Sequence, residues 1–499
     1  MSCHSSMIGA EFTREDIEAT ARSGGLLSME IELSLRCNFR CKYCYVEQTS
    51  DTARELTPEE IRGAILQARE LGARKIIVLG GEPMIYPRIM EMLTFIREQN
   101  LAAEMFTNGT NITPEAARQL RALGVQVVLK MNSFEEHIQD ELAGVKGAYK
   151  IIQEAYRNLI AAGYPGEESL MAVSTIICQQ NLPEITTMWQ WLRDRKITPY
   201  FEIITPQGNA RDHNGLEVDL PTLHEVFRQL SEIDRTRYGV EWDPQPPLVG
   251  DRCLRHQFSC LINAFGSVTP CVGVTIPVGN VRERKLADIL RDSEVIQDLR
   301  RYTETIRGPC GACEKSAICY GCRGAAYQLT GDYLASDPLC WRNAGCEQEI
   351  MTLPAAVSGM IPQCPPTRMV DRLLSVGERV AVVETTIQQD NLFLNDDGTL
   401  DDSAYLEIIA QSAAALNGFR ATRRQAAGNE PEGYLLGARD IEVLGTAHIG
   451  DTLNTRVYKA TRYGDFGIIE GQVFRDEHLL ARGEIKVWHK TAAAAGTHA

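Results

Sequence analysis

Apolar and polar positions alternate in two different rhythms along this chain. Between residues 28 and 205 six apolar, β-rich runs stand apart: "SMEIELSL" (28–35), "KIIVLG" (75–80), "AAEMFTNG" (102–109), "VQVVLKMN" (125–132), "LMAVSTII" (170–177) and "YFEIIT" (200–205). Between them lie stretches of helical period such as "TPEEIRGAILQARELG" (57–72) and "PEAARQLRALG" (114–124). "TPEE" and "TPEA" suit helix starts, with Thr as N-cap, Pro in the first turn and an acid behind it. Strand and helix taking turns six times predicts a parallel sheet curled into a partial (β/α)6 TIM-like barrel. In such folds reactive groups gather where strands end and loops begin.

The rhythm changes near the C-terminus. "MTLPAAVSGMIPQCPP" (351–366) reads as a linker, rich in proline in its latter half. Strand-like runs follow at 379–388, 433–445, 453–464, 466–475 and 479–489, interrupted by one helical stretch, "DDSAYLEIIAQSAAALNGFRATRRQ" (401–425). The alanine-rich face of that helix suits burial under a closely approaching sheet. One helix wrapped by an antiparallel sheet is the hotdog arrangement. The expected organisation is therefore a barrel over 28–230, a Cys-rich region over 231–346, a linker over 347–365 and an α+β hotdog domain over 366–490.

Length and charge fit this division. With 499 residues, 44% of them hydrophobic, the chain has room for several cored domains. A formal charge of −15 with no Lys/Arg cluster argues against a nucleic-acid surface. No run of about 18 apolar residues exists for a membrane span. The N-terminal "MSCHSSMIGAEFTRED" lacks the charged and apolar regions of a signal peptide, so a cytoplasmic protein is expected.

The fifteen cysteines carry the chemistry. In a reducing compartment clustered thiols point to metal or redox work. Three stand in "CNFRCKYC" (37–44), just past the first strand, and eight more lie between 253 and 340. Cys3, Cys178 and Cys364 are isolated and read as incidental or buried thiols. A zinc site closes with four ligands, so a trio suggests a site left open on one side.

Cys37-x3-Cys41-x2-Cys44 with Tyr43 before the last Cys, followed by Gly80-Gly81-Glu82-Pro83 after the second strand, resembles the radical S-adenosylmethionine (SAM) superfamily. The resemblance implies that the three thiolates hold a [4Fe–4S] cluster whose fourth iron receives SAM, and that a reductant such as flavodoxin or ferredoxin supplies the electron. The glycines would let backbone approach the ligand, and Glu82 would accept from its ammonium group. Asn132 or Ser133 and Ser174, at the ends of strands four and five, match positions that contact SAM in the family; Asn108 shares the rim.

"CLRHQFSCLINAFGSVTPC" (253–271) and "CGACEKSAICYGC" (310–322) resemble the SPASM extension of radical SAM enzymes. By that resemblance Cys253, Cys260, Cys271 and Cys322 would hold a first auxiliary [4Fe–4S] cluster, and Cys310, Cys313, Cys319 and Cys340 a second. Cys346 is left spare, and the two-residue interval before Cys322 departs from the family's three. Without Cys260, the first cluster would keep an open iron. Val272 stands where sulfatase-maturing relatives carry an Asp, which disfavours that activity.

"IPQCPPTRMVDRL" (361–373), "YLEIIAQSAAALNG" (405–418) and "HIGDTL" (448–453) resemble hydroxyacyl-thioester dehydratases. The family's catalytic His falls on Gln363, whereas its acid is kept as Glu407. Gln cannot titrate, so the acid–base pair is broken. The resemblance implies a hotdog that binds an acyl thioester or carrier, or dimerises, without dehydrating. Three readings follow: a radical SAM oxidoreductase acting on an acyl-thioester or small molecule, with an acyl carrier protein as a candidate partner; a maturase of a ribosomal peptide or protein side chain; or an iron–sulfur electron carrier, which leaves GGEP and the open trio unexplained. The strand at 28 begins too early for an N-terminal leader-peptide-binding domain, which weighs against the second.

Overall fold

The computed structural model describes residues 11–46, 53–166, 169–213, 215–306, 308–346, 352–377, 380–422, 433–458, 461–463 and 466–489. Cys3 and the last predicted residues of the long helix, 423–425, lie outside them. The chain divides into two compact units, one built from residues up to 349 and one chiefly from 350 onward.

In the first unit the six predicted runs become β1 (Ser28–Glu32), β2 (Lys75–Leu79), β3 (Ala102–Thr107), β4 (Gln126–Lys130), β5 (Met171–Ile177) and β6 (Thr198–Ile203). All pair in parallel and in sequence order, the partial TIM-like barrel the alternation predicts. Both faces of β1 and β5 are buried, as helices on one side and barrel interior on the other require. The predicted helix starts are present. Thr57 caps the helix Pro58–Glu70 in a reciprocal box with Glu60, and Thr113 Oγ1 accepts from Ala116 N at the start of Pro114–Ala122.

The periodicity did not mark three short strands within the Cys-rich region: β7 (Leu261–Ile262), β8 (Ser267–Thr269) and β9 (Gly279–Asn280). They extend the barrel sheet beyond β1. β7 pairs in parallel with β1, Glu30 opposite Leu261 and Ile31 opposite Ile262, and β8 and β9 fold back antiparallel. This register sets the face taken by Cys260, whose carbonyl accepts from Glu30 N just before β7.

The second unit is an antiparallel sheet around one helix, the hotdog arrangement. Its strands are β10 (Ala355–Ala356), β11 (Arg372–Val376), β12 (Val380–Thr386), β13 (Gly433–Val443), β14 (Thr452–Tyr458), β15 (Thr461–Tyr463), β16 (Phe466–Arg475) and β17 (His478–His489). They run in the order β10-β11-β12-β14-β16-β17-β13, with β15 paired to β16. The helix Asp402–Thr422 buries Ala404, Tyr405, Ile408, Ile409, Ala413, Ala415 and Phe419 in the core. Close approach is needed where β16 crosses it: a Cβ on Gly471 would run into the Ile409 side chain. The stretch expected as linker is partly structural. Ala355–Ala356 forms the edge strand, and Val357, Met360 and Ile361 are core residues, because their apolar side chains have the helix to pack against.

Candidate radical SAM, auxiliary cluster and hotdog sites

The loop leaving β1 carries the cysteine trio and is clamped by backbone on three sides. Gly81 N donates to Ser34 O at 2.8 Å and Glu82 N to Arg36 O at 2.9 Å. Arg40 N and Lys42 N donate to Ala143 O and Leu142 O, both at 3.0 Å, at the end of the helix Glu136–Ala143. Asn209 N donates to Cys44 O at 2.9 Å. The GGEP glycines thus serve the loop first. A Cβ on Gly81 would collide with the Arg36 carbonyl, and one on Gly80, whose φ is 124°, with that of Ser34. Within the loop Cys37, Cys41 and Cys44 are mutual neighbours, each partly exposed. Burial, reinforced by that proximity, pushes the Cys37 thiol up to about 11 and Cys41 to about 12. Phe39 N donates to Cys37 Sγ at 3.4 Å and Asn108 Nδ2 reaches it at 3.8 Å.

The side chains expected to touch SAM divide into two groups. The Glu82 carboxylate is 3% exposed and already accepts from Met84 N, Thr107 Oγ1 and Asn108 N at 2.9, 2.6 and 2.6 Å. It ties GGEP and the 3₁₀ turn Pro83–Ile85 to the end of β3, and burial lifts its pKa to about 7. Asn132 and Ser133 are fully buried. Asn132 Nδ2 donates to Tyr43 Oη at 2.6 Å while its Oδ1 accepts from Ile176 N at 2.9 Å; Ser133 Oγ donates to Glu184 at 2.6 Å. These two side chains are occupied in holding the rim together. Asn108 stands beside Cys37, and Ser174 Oγ accepts from Lys130 Nζ at 3.0 Å inside the barrel.

The barrel interior also holds charged side chains carried on the strands. Every second residue of a strand faces inward, which places Glu30 and Glu32 of β1, Glu104 of β3, Lys130 of β4 and Tyr200 and Glu202 of β6 on one lining. Lys130 Nζ lies 5.0 Å over the Tyr43 ring and 3.9 Å from Glu202. Burial pushes its pKa down against the pull of Glu202, Cys41 and Cys44. Arg255 donates to Glu30 at 2.8 Å, and Tyr45 Oη donates to Glu32 at 3.0 Å. Charged residues at inward positions of otherwise apolar strands were the available signal.

In the Cys-rich region two groups assemble. Cys253, Cys271 and Cys322 are neighbours. Gly273 N and Val274 N each donate to Cys271 Sγ at 3.3 Å, Ala325 N to Cys322 Sγ at 3.3 Å, and Tyr320 Oη to Cys253 Sγ at 3.7 Å. Cys310, Cys319 and Cys340 form a second set. Asp337 N and Asn343 Nδ2 reach Cys310 Sγ at 3.4 and 3.2 Å, and Gly321 N reaches Cys319 Sγ at 3.3 Å. Cys313, close in sequence, accepts from Lys315 N at 3.5 Å. Sulfurs that each accept one or two N–H or O–H bonds fit cluster thiolates, whose negative charge such bonds stabilise. Among the described residues no group of three or more His, Cys, Asp or Glu side chains is arranged to hold a metal ion; a four-iron cubane is a larger object than one zinc in its shell of about 2.3 Å. Cys260 does not join the first set. It is buried beside Arg300. Cys178 is a buried lone thiol and Cys364 an exposed one, as expected.

In the second unit Glu407 projects from the central helix and is half-buried. Gln411, one turn on, donates to Glu407 Oε1 at 2.7 Å and to Thr367 O at 2.8 Å, and accepts from Met369 N at 2.7 Å. It ties the acid's turn to the segment entering β11. Gln363 lies on that same segment, with its Oε1 buried and unpartnered among the described residues.

Comparison with known proteins agrees with each part. The profile of the radical SAM superfamily matches residues 31–191, that of the SPASM iron–sulfur cluster-binding domain 253–315, and that of the ApeP dehydratase 355–497. The chain is 28% identical over 336 residues to an AdoMet-dependent heme synthase of Methanosarcina barkeri, covering 62% of this chain and 94% of that one. It is 27% identical over 340 residues to a PqqA peptide cyclase of Rhizobium meliloti, covering 64% and 87%. In fold it is similar to Streptococcus suis SuiB, solved with its precursor peptide SuiA, at a TM-score of 0.50 and 17% identity over 65% of this chain and 78% of that one. No helix among the described residues is long and apolar enough to cross a membrane. The chain is therefore a radical SAM enzyme with a SPASM iron–sulfur domain and a C-terminal ApeP-like dehydratase domain, using [4Fe–4S] clusters and S-adenosylmethionine as cofactors.

Proposed function

We propose that the enzyme is a radical SAM oxidoreductase acting on an acyl-thioester-linked or small-molecule substrate, with its hotdog unit binding the acyl group rather than dehydrating it. Cys37, Cys41 and Cys44 would hold the SAM-binding cluster. Once bound, cluster and SAM supply one-electron cleavage to methionine and a hydrogen-abstracting 5′-deoxyadenosyl radical, the electron coming from a flavodoxin or ferredoxin. The observation that carries the acyl reading is the pairing in the second unit. Glu407 is retained and anchored through Gln411, whereas the residue matched to the base is Gln363. A carboxylate can orient a hydroxyl, but dehydration also needs a group to take the α-proton.

The long edge strand β13 exposes Leu435, Leu436 and Ile441, which supports pairing of two hotdog units into a homodimer. Sedimentation should give a dimer, and Leu436→Glu with Ile441→Lys a monomer. The test of substrate class is formation of 5′-deoxyadenosine, with deuterium carried into it from a labelled substrate. Acyl thioesters on a carrier protein should support transfer. A second reading, a peptide substrate, is favoured by the likeness to PqqA peptide cyclases and to SuiB. Transfer from a peptide, with none from any thioester, would replace the first reading.

A further inference from the structure

We infer that the first auxiliary cluster is held by Cys253, Cys271 and Cys322 alone, leaving one iron open to a donor from outside the chain, and that Cys260 is a packing residue. This rests on the reading of the SPASM cysteines as [4Fe–4S] ligands. The resemblance assigns Cys260 as the fourth thiolate; the sheet register argues against it. Glu30 N donates to Cys260 O at 2.9 Å, and the next residues pair Leu261 with Glu30 and Ile262 with Ile31. Paired residues of parallel strands share a face, and successive residues alternate. Leu261 therefore lies on the face of Glu30, the barrel interior, and Cys260 on the opposite face with Met29 and Ile31, both fully buried. On β8, Thr269 pairs with Leu261 and so takes the interior face, and Cys271 follows two residues on. Past the end of that strand Cys271 stands beside Arg255 and Cys253, whereas the charged neighbours of Cys260 are Arg300 and Glu30.

The surroundings of each sulfur agree. Cys271 and Cys322 accept backbone N–H bonds and Cys253 accepts from Tyr320. Among the described residues no donor reaches Cys260 Sγ, whose charged neighbours are Arg300 and Glu30. Arg255, by contrast, stands beside Cys253 and Cys271, and its Nε is buried without a partner among the described residues. Its Nη1 is already committed to Glu30 at 2.8 Å, which leaves Nε as the polar atom turned toward a ligand held on that side.

The test uses the full chain, reconstituted without oxygen, with cyanide as the probe. The unmodified protein should carry about twelve irons and the Cys37/Cys41/Cys44→Ala variant about eight, all of them auxiliary. In that background Cys260→Ala should keep about eight irons and an unchanged electron paramagnetic resonance spectrum, while Cys253→Ala should drop to about four. Cyanide should shift one of the two auxiliary signals saturably. If the alanine variant is insoluble, Cys260→Ser decides: a serine ligand would change the spectrum, a packing serine would not. Loss of about four irons or an altered spectrum on changing Cys260 would overturn the inference. So would signals indifferent to cyanide, or a spectrum altered by His256→Gln, since the nearby buried His256 would then be the fourth ligand. Only about four irons in the unmodified protein would instead refute the reading of the SPASM cysteines as cluster ligands.

Discussion

The loop after β1 and the turn around Glu407 are built in different ways, and under the proposed reading they would keep different amounts of their families' chemistry. In the barrel all three thiols stand within one octapeptide, and backbone bonds from GGEP, from the helix Glu136–Ala143 and from Asn209 hold that loop in place. In the hotdog the acid sits on a helix, and the residue matched to the base sits on a separate segment that Gln411 ties to the same turn. A site whose parts also build the loop cannot lose one part cheaply. A site split between a helix and a facing segment can lose half its chemistry while the core of Tyr405, Ile408 and Phe419 stays intact.

The largest expected effect tests the barrel side. Replacing Cys37, Cys41 and Cys44 together by Ala should abolish 5′-deoxyadenosine formation while leaving the auxiliary iron. Cleavage at the unmodified rate would break the comparison outright, because the trio would then be dispensable.

The second tests the hotdog side. The full chain should show little dehydration of a 3-hydroxyacyl thioester, and Gln363→His should raise turnover by about 10²–10⁴-fold if the rest of the pocket persists. Robust dehydration by the unmodified chain, lost in Glu407→Ala, would mean that both sites kept their chemistry.

The third sharpens the claim that motif and scaffold coincide. Gly81→Ala should cost roughly 1–3 kcal/mol, because the new Cβ meets the Arg36 carbonyl. Thermal unfolding and iron content should fall together; unchanged melting with lost SAM binding would return Gly81 to a ligand-contact role.

The smallest effect concerns charge inside the barrel. Burial raises the Glu32 pKa to about 7, above its ordinary value. Its contribution to stability is therefore present at low pH and lost as pH rises through about 7. Glu32→Gln should gain on the unmodified chain by on the order of 1 kcal/mol between about pH 5 and 8. Parallel melting curves across that range would show that Glu32 does not carry the effect.

Much of this molecule was legible in the sequence because the signals are local. The period of two marked β1 to β6, the Thr-Pro-Glu starts marked two helices, and the cysteine spacings marked two kinds of cluster, one within an octapeptide and one across residues 253–340. The identity of Gln363 alone carries the proposal that the acid–base pair is incomplete. What the tertiary structure decided depends on pairings between distant residues. The face that Cys260 takes follows from the register of β7 on β1, a strand some 230 residues earlier, which no spacing rule contains. Likewise the Glu82 carboxylate is consumed by donors arriving from β3, and Lys130 gains its place over Tyr43 only when β4 closes beside the cysteine loop. Sequence determines which groups are present and their local period; long-range register determines which face each group shows and what it is left free to bind.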